Sequence, residues 1–120
     1  MSGSPETHWR AALAEGRVLL QRTRSSGSHF FPPRLVEPGT GDADWEWVEA
    51  SGFGTVYAVT VVNQKPPAEP YDVVLVDLDE GVRLMSRVEG IAPEAVTIGL
   101  RVRARIDATG DAPILLFDPA

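Results

Sequence analysis

Between Gly52 and Val62 the chain reads Gly-Phe-Gly-Thr-Val-Tyr-Ala-Val-Thr-Val-Val, and both of its alternating sides are mostly apolar. β-Branched and aromatic residues at this density predict one long strand, and two apolar sides predict that it is central, covered on both faces. Gly52 and Gly54 open it without side-chain bulk, which permits the coiling a strand needs to serve two sides of a small barrel. Downstream, Tyr71 to Leu78 predicts a second strand, Asp79-Glu80-Gly81 a tight turn, and Val82 to Val88 the returning strand. In that return Val82, Leu84 and Val88 take one face and Arg83, Met85 and Arg87 the other. Pro93 opens a short helical turn through Val96; Leu100 to Asp107 alternates apolar residues with Arg101, Arg103 and Arg105; Ile114 to Phe117 is a final short strand. Three strands, a helical piece and two more strands, the first coiled at glycines, is the order of the five-stranded Greek-key barrel of the oligonucleotide/oligosaccharide-binding (OB) type.

The first third is patterned differently. Ser4, Pro5 and Glu6 form a helix start, with a capping hydroxyl, a proline where no amide is needed and an acid at the positive end. The helix is expected to run to about Glu15 and stop at Gly16, with Trp9, Ala12 and Leu13 as a narrow apolar stripe. That stripe either docks on its own domain or, through Trp9 and Leu13, forms part of a partner surface. Arg17 to Arg22 and Phe30-Phe31, on either side of Ser25-Ser26-Gly27-Ser28, predict a small hairpin. Pro32-Pro33 stiffens the chain, Glu37 to Asp44 is an irregular loop, and Trp45 to Glu49 is extended again. Residues 17–44 hold few large apolar side chains, so a cross-link or a neighbouring domain is expected to keep them folded. The chain thus divides into a leading helix (1–16), a hairpin and loop segment (17–44) and a barrel (45–120).

At 120 residues one core is affordable and a second large domain is not. The net charge of −6 disfavours partners held by generalised attraction to phosphate or anionic lipid. The chain has no cysteine, which removes disulfides and thiolate chemistry. No apolar run approaches a membrane span, and the first residues carry neither a basic nor an apolar leader pattern, so a soluble cytoplasmic protein is expected. A single-strand nucleic-acid reader wants exposed aromatics between basic residues on the second and third barrel strands. Tyr71, Arg83 and Arg87 are offered there, but together with Asp72, Asp77, Asp79 and Glu80. An acid–base site fares no better: His8 and His29 have no evident partner, and Asp77 and Asp79 are explained by the turn beside Gly81. The residues alone describe a barrel that binds something.

A set of short motifs carries further. Arg22-Thr23-Arg24-Ser25-Ser26-Gly27, Phe31-Pro32-Pro33-Arg34, Glu37-Pro38-Gly39-Thr40 and the run Trp47 to Tyr57 with its Gly-Phe-Gly-Thr-Val-Tyr strand resemble the DUF35 family, as do Asp77-Leu78-Asp79-Glu80-Gly81 and Ile98-Gly99-Leu100. The resemblance implies a leading helix and a rubredoxin-like zinc ribbon joined to an OB-fold barrel, and an association with acyl-CoA. Family ribbons carry Cys-x-x-Cys twice; the matching positions are Thr23, Ser26, Glu37 and Thr40. Hydroxyls do not replace thiolates or imidazoles around structural zinc, so the expectation is a degenerate, metal-free ribbon held by hydrogen bonds among Thr23, Ser26 and Thr40 and by Phe30 and Phe31. Where family members often place a histidine near the end of the long strand, this chain has Asn63. The implied role is a non-catalytic subunit beside a thiolase-like, synthase-like or hydratase partner, binding CoA or acyl-CoA and no zinc. On this reading the ligand lies between ribbon and barrel at Phe31, Arg34, Tyr57 and Thr60, with Arg22, Arg24 or Lys65 on its phosphates. The alternatives are a stand-alone OB-fold nucleic-acid binder and an independent acyl-CoA enzyme.

Overall fold

A computed structural model describes residues 4–120; the first three residues of the segment assigned to the leading helix lie outside the described residues. Helix α1 spans Pro5–Ala14, where Ser4 Oγ accepts the Thr7 N–H at 3.2 Å as an N-cap. It ends as the chain turns through Gly16 at φ +80°, a left-handed conformation that glycine adopts without Cβ strain. Ala12 and Leu13 are buried, and Trp9 is half-buried with its Nε1–H donating to Leu19 O at 2.9 Å. The stripe therefore docks on its own domain. Leu13, at 2% exposure, is not available to a partner.

Three strands, β1 (Leu19–Thr23), β2 (His29–Phe30) and β3 (Trp45–Glu49), form a small antiparallel sheet in the order β2-β1-β3. The boundary drawn at residue 44 leaves β3 with the barrel segment, yet it pairs with β1 along its length, from Leu19↔Glu49 to Thr23↔Trp45. Beyond it, β4 (Phe53–Val62), β5 (Tyr71–Leu78), β6 (Arg83–Ser86), β7 (Arg101–Asp107) and β8 (Ile114–Pro119) form a sheet in the order β6-β5-β4-β7-β8, with a single 3-10 turn at Pro93–Ala95. β4 is central, as its pattern predicts. Its coiling depends on Gly54, where a Cβ would lie 2.7 Å from Val76 Cγ1 and 2.8 Å from Asp77 O. The register slips between Val56 and Ala58, so Tyr57 is accommodated as an extra residue.

Two expectations need correction. The five strands do not close into a continuous barrel: the two edges meet at one parallel bridge, Val88↔Phe117, flanked by Glu89 N–H to Phe117 O at 2.8 Å and Phe117 N–H to Arg87 O at 3.1 Å. β6 is only four residues long and supplies no longer ladder to β8; Ser86 Oγ–H bonds Leu115 O instead, at 2.9 Å. Nor are both sides of β4 covered. Val56 faces the core, but Tyr57 is 50% exposed and Thr60 is exposed on the outer face.

The core gathers Val56, Val74, Val76, Val102 and Phe117 from the larger sheet together with Leu20 of β1, with Phe31, Val48 and Ala50 packed against it. The small sheet and the larger one thus share one interior, and this answers how a segment so poor in apolar residues stays folded. Asp72 is buried as well, its Oδ1 accepting the Val88 N–H at 2.7 Å, a satisfied polar group that fixes the chain at the seam.

Candidate functional site

Away from the Val88↔Phe117 bridge the β6 and β8 edges diverge, and a trough opens between them. At one end a cavity of about 200 Å³ is walled by Leu84 and Met85 on one side, by Pro113, Ile114 and Leu115 on the other, and by Trp9, Leu13 and Phe31 across the top. The Trp9 and Phe31 rings sit 5.4 Å apart and tilted by 60°. A second cavity of about 300 Å³ shares Met85, Ile114 and Leu115 and adds Tyr71, Val73 and Arg87. A third, of about 350 Å³, shares Tyr71 and Arg87 and continues to Pro70, Ile91 and Pro93. The first and third each share walls with the second, giving a trough lined mainly by apolar residues in its first two cavities and more polar in the third, whose wall includes Asp72, Arg87 and Glu89. Met85 and Ile114 at its rim are 71% and 54% exposed, a costly arrangement in water unless something covers them. Arg10 borders the first cavity and Arg87 the other two, each paired with a carboxylate, Glu6 at 3.7 Å and Glu89 at 3.3 Å.

The residues singled out from sequence fall in different places. Phe31 lines the first cavity. Thr60 lies on the outer face of β4, paired with Val73, itself a wall of the second cavity. Tyr57 is on that outer face too, with the Arg83 guanidinium 3.4 Å above its ring centroid. Arg34 is exposed, but its backbone is clamped by the buried Gln21 side chain, whose Oε1 accepts the Arg34 N–H at 2.8 Å and whose Nε2–H donates to Arg34 O at 2.5 Å. Arg22 and Arg24 are already engaged, with Glu46 at 3.2 Å and Asp44 at 2.6 Å; Lys65 is exposed on the β4–β5 loop. Of the four, Phe31 alone lines the trough; Thr60, Tyr57 and Arg34 lie outside its walls. Sequence reasoning did not single out Met85, Ile114 and Leu115. Met85 had left a signal, as the one apolar residue on the otherwise cationic face of its strand.

The outer face of the sheet is laced by ion pairs. Arg83 grips Asp77 at 2.6 and 3.1 Å, and Arg101 grips Asp79 at 2.8 and 3.1 Å while also donating to Thr55 Oγ1 at 3.1 Å. These guanidinium hydrogen bonds hold both carboxyls below the usual carboxylate range. Arg105 is shared by Asp118 and Glu89, at 2.8 and 2.7 Å, and is pushed up by both. The arginine row at 101, 103 and 105 is thus a paired surface at two of its three positions, with few cations left for phosphate. Among the described residues neither histidine is bonded to a carboxylate; His8 stacks on Trp47 at 4.8 Å.

The four positions matching the ribbon cysteines do not fit zinc. Thr23 Oγ1 is buried with no hydrogen-bond partner, Ser26 Oγ accepts the Ser28 N–H at 3.2 Å, and Thr40 Oγ1–H donates to Glu37 Oε1 at 2.6 Å. Three hydroxyls and one engaged carboxylate are not a structural zinc set. The expected bonding among Thr23, Ser26 and Thr40 is also corrected: each bonds within its own turn or not at all.

Comparison with known proteins follows the same lines. The family model described as "ChsH2, C-terminal OB-fold domain" matches residues 47–107. A "Probable enoyl-CoA hydratase alpha subunit" of Thermomonospora curvata is 37% identical over 116 residues, 93% of this chain and 36% of that protein; the chain spans about a third of the length of that relative. A "DUF35 domain-containing scaffold protein" of Methanocaldococcus jannaschii is 29% identical over 117 residues, covering 91% of this chain and 83% of its own. Among solved structures, a chain of the "Ltp2-ChsH2(DUF35) aldolase" superposes with a TM-score of 0.84 at 34% identity, over 98% of this chain and 96% of that one. Helix, small sheet and OB-type sheet are therefore matched as a unit, and the chain belongs to the DUF35 family.

Proposed function

We propose that this protein is a non-catalytic accessory subunit of acyl-CoA metabolism, which binds an acyl-CoA along the trough and docks on a thiolase-like or hydratase subunit that carries the chemistry. The observation that carries this reading is the trough itself: a first cavity between α1, β6 and β8, a second that shares Met85, Ile114 and Leu115 with it, and a third that shares Tyr71 and Arg87 with the second. A pantetheine arm with its acyl chain is linear and mostly apolar, and such ligands are held by apolar walls with a few polar groups. Phe31 lies in its wall, Thr60 and Tyr57 offer hydroxyls on the exposed outer face of β4, outside the walls, and Arg34 and Lys65, exposed and in no ion pair among the described residues, suit the phosphates. A partner is favoured by the relatives' names, which include alpha subunits and scaffold proteins. A non-catalytic role is favoured by the relatives named as scaffold proteins. Nucleic-acid binding is disfavoured by the net charge of −6 and by the arginines already committed to carboxylates.

Calorimetric titration with CoA and butyryl-CoA tests the ligand. Binding of the acyl form that is weakened at least about tenfold by Met85→Lys, which puts a hydrated charge at the apolar rim, is the expected result. Binding unchanged by Met85→Lys would move the ligand out of the trough, and no binding at all would reduce the role to docking. Arg34→Ala with unaltered CoA affinity would remove that residue from the phosphate contacts.

A further inference from the structure

We infer that residues 23–44, where family ribbons are cross-linked by metal, are held here by a polar clasp centred on Asp42, and that the segment folds without zinc. Two tight turns form it. In the first, Gly27 N–H bonds Thr23 O at 2.8 Å and Thr23 N–H bonds Ser28 O at 2.9 Å; in the second, Gly41 N–H bonds Glu37 O at 2.9 Å and Glu37 N–H bonds Asp42 O at 2.8 Å. A metal would tie one turn to the other through side chains of both. That is what Asp42 and Asp44 do: Asp42 Oδ2 accepts from Ser25 Oγ at 3.1 Å, and Asp44 Oδ1 accepts from Arg24 Nη1 at 2.6 Å, while Arg24 N–H bonds Asp44 O at 3.0 Å. The other Asp42 oxygen accepts the Asp44 N–H at 2.8 Å, so both carboxylate oxygens are used, one across the turns and one along the chain.

The positions that would have ligated metal have been put to other uses or to none. Glu37, the one anionic donor among them, is bonded to Thr40 within its own turn. Thr23 Oγ1 is fully buried and orphaned, which costs free energy and contributes nothing to the cross-link. A substitute site elsewhere in the segment is not formed, since Asp44 and Glu46 are paired with Arg24 and Arg22, and among the described residues no three metal-binding side chains converge. On the strands that flank the two turns, Phe30, Trp45 and Trp47 form an aromatic series with edge contacts at 6.3 and 5.3 Å.

The test is made on the full chain expressed in zinc-supplemented medium. Metal analysis after dialysis, melting curves with and without EDTA, and amide exchange of residues 23–44 are measured for the wild type, Asp42→Ala, Ser25→Ala and Thr23→Val. Expected are far less than one zinc per chain, an EDTA-independent Tm, and exchange at Arg24 and Asp44 faster by about fivefold to tenfold in Asp42→Ala, the scale of one or two lost hydrogen bonds. Ser25→Ala removes only the bond across the turns and gives a smaller change in the same amides if Asp42→Ala does not fold. Thr23→Val should leave Tm unchanged or raise it, as removal of an unsatisfied hydroxyl does. One zinc per chain with a Tm lowered by EDTA would overturn the inference, as would exchange unchanged in both Asp42→Ala and Ser25→Ala.

Discussion

Gln21 shows how much one side chain fixes in this molecule. It is 1% exposed, and its amide satisfies both backbone groups of Arg34 from across the small sheet. It thereby ties the end of the Phe31-Pro32-Pro33 turn to β1, and with it the placement of Phe31 in the trough wall. Gln21→Ala leaves two backbone groups to find water, and the expected cost is about 2–3 kcal/mol in urea denaturation. Asp77 and Asp79 act at the surface instead. Their folded pKa values lie below the unfolded one, so their contribution is present above the unfolded value of about 4 and is lost as pH falls through the lower folded value. The stability gap between wild type and Asp79→Asn should accordingly be constant near neutrality and shrink below about pH 4, measured by denaturation across pH. A gap that persists unchanged at pH 2 would mean that Asp79 acts by packing rather than by charge.

At the level of elements, the strands were legible because period-two alternation survives in the chain: Tyr71 to Leu78 alternates half-buried and buried residue by residue, and Gly54 marks the place where β5 comes too close for a side chain. Gly54→Ala is expected to cost about 1–3 kcal/mol, since the clash is with backbone as well as with Val76; a loss below about 0.5 kcal/mol would show that β5 yields easily. The trough was not legible. It arises where β6 and β8 part, and this depends on how short β6 is and on where α1 comes to rest, neither of which a periodicity reports. The long-range ion pairs were hidden for a related reason: Arg101 on β7 meets Asp79 in the turn after β5, and Arg105 meets Glu89 beyond β6, only once register and curl are known.

For the whole molecule the decisive fact is that the two sheets are not separate bodies. Leu20 of β1 is buried with the core of the larger sheet, and Phe31, Val48 and Ala50 pack against it. One calorimetric transition is expected, with its van't Hoff and calorimetric enthalpies equal, and Leu20→Ala should lower it as a whole by about 2–5 kcal/mol. Two resolved transitions would show that the small sheet melts independently. The placement of the indoles has an optical consequence. The chain's three tryptophans are Trp9, Trp45 and Trp47, all on the helix and the small sheet, and of these Trp9 lines the trough. The protein's own emission is therefore a built-in lamp on one side of the molecule, and a guest lying against Trp9 would shift its colour without any label being attached.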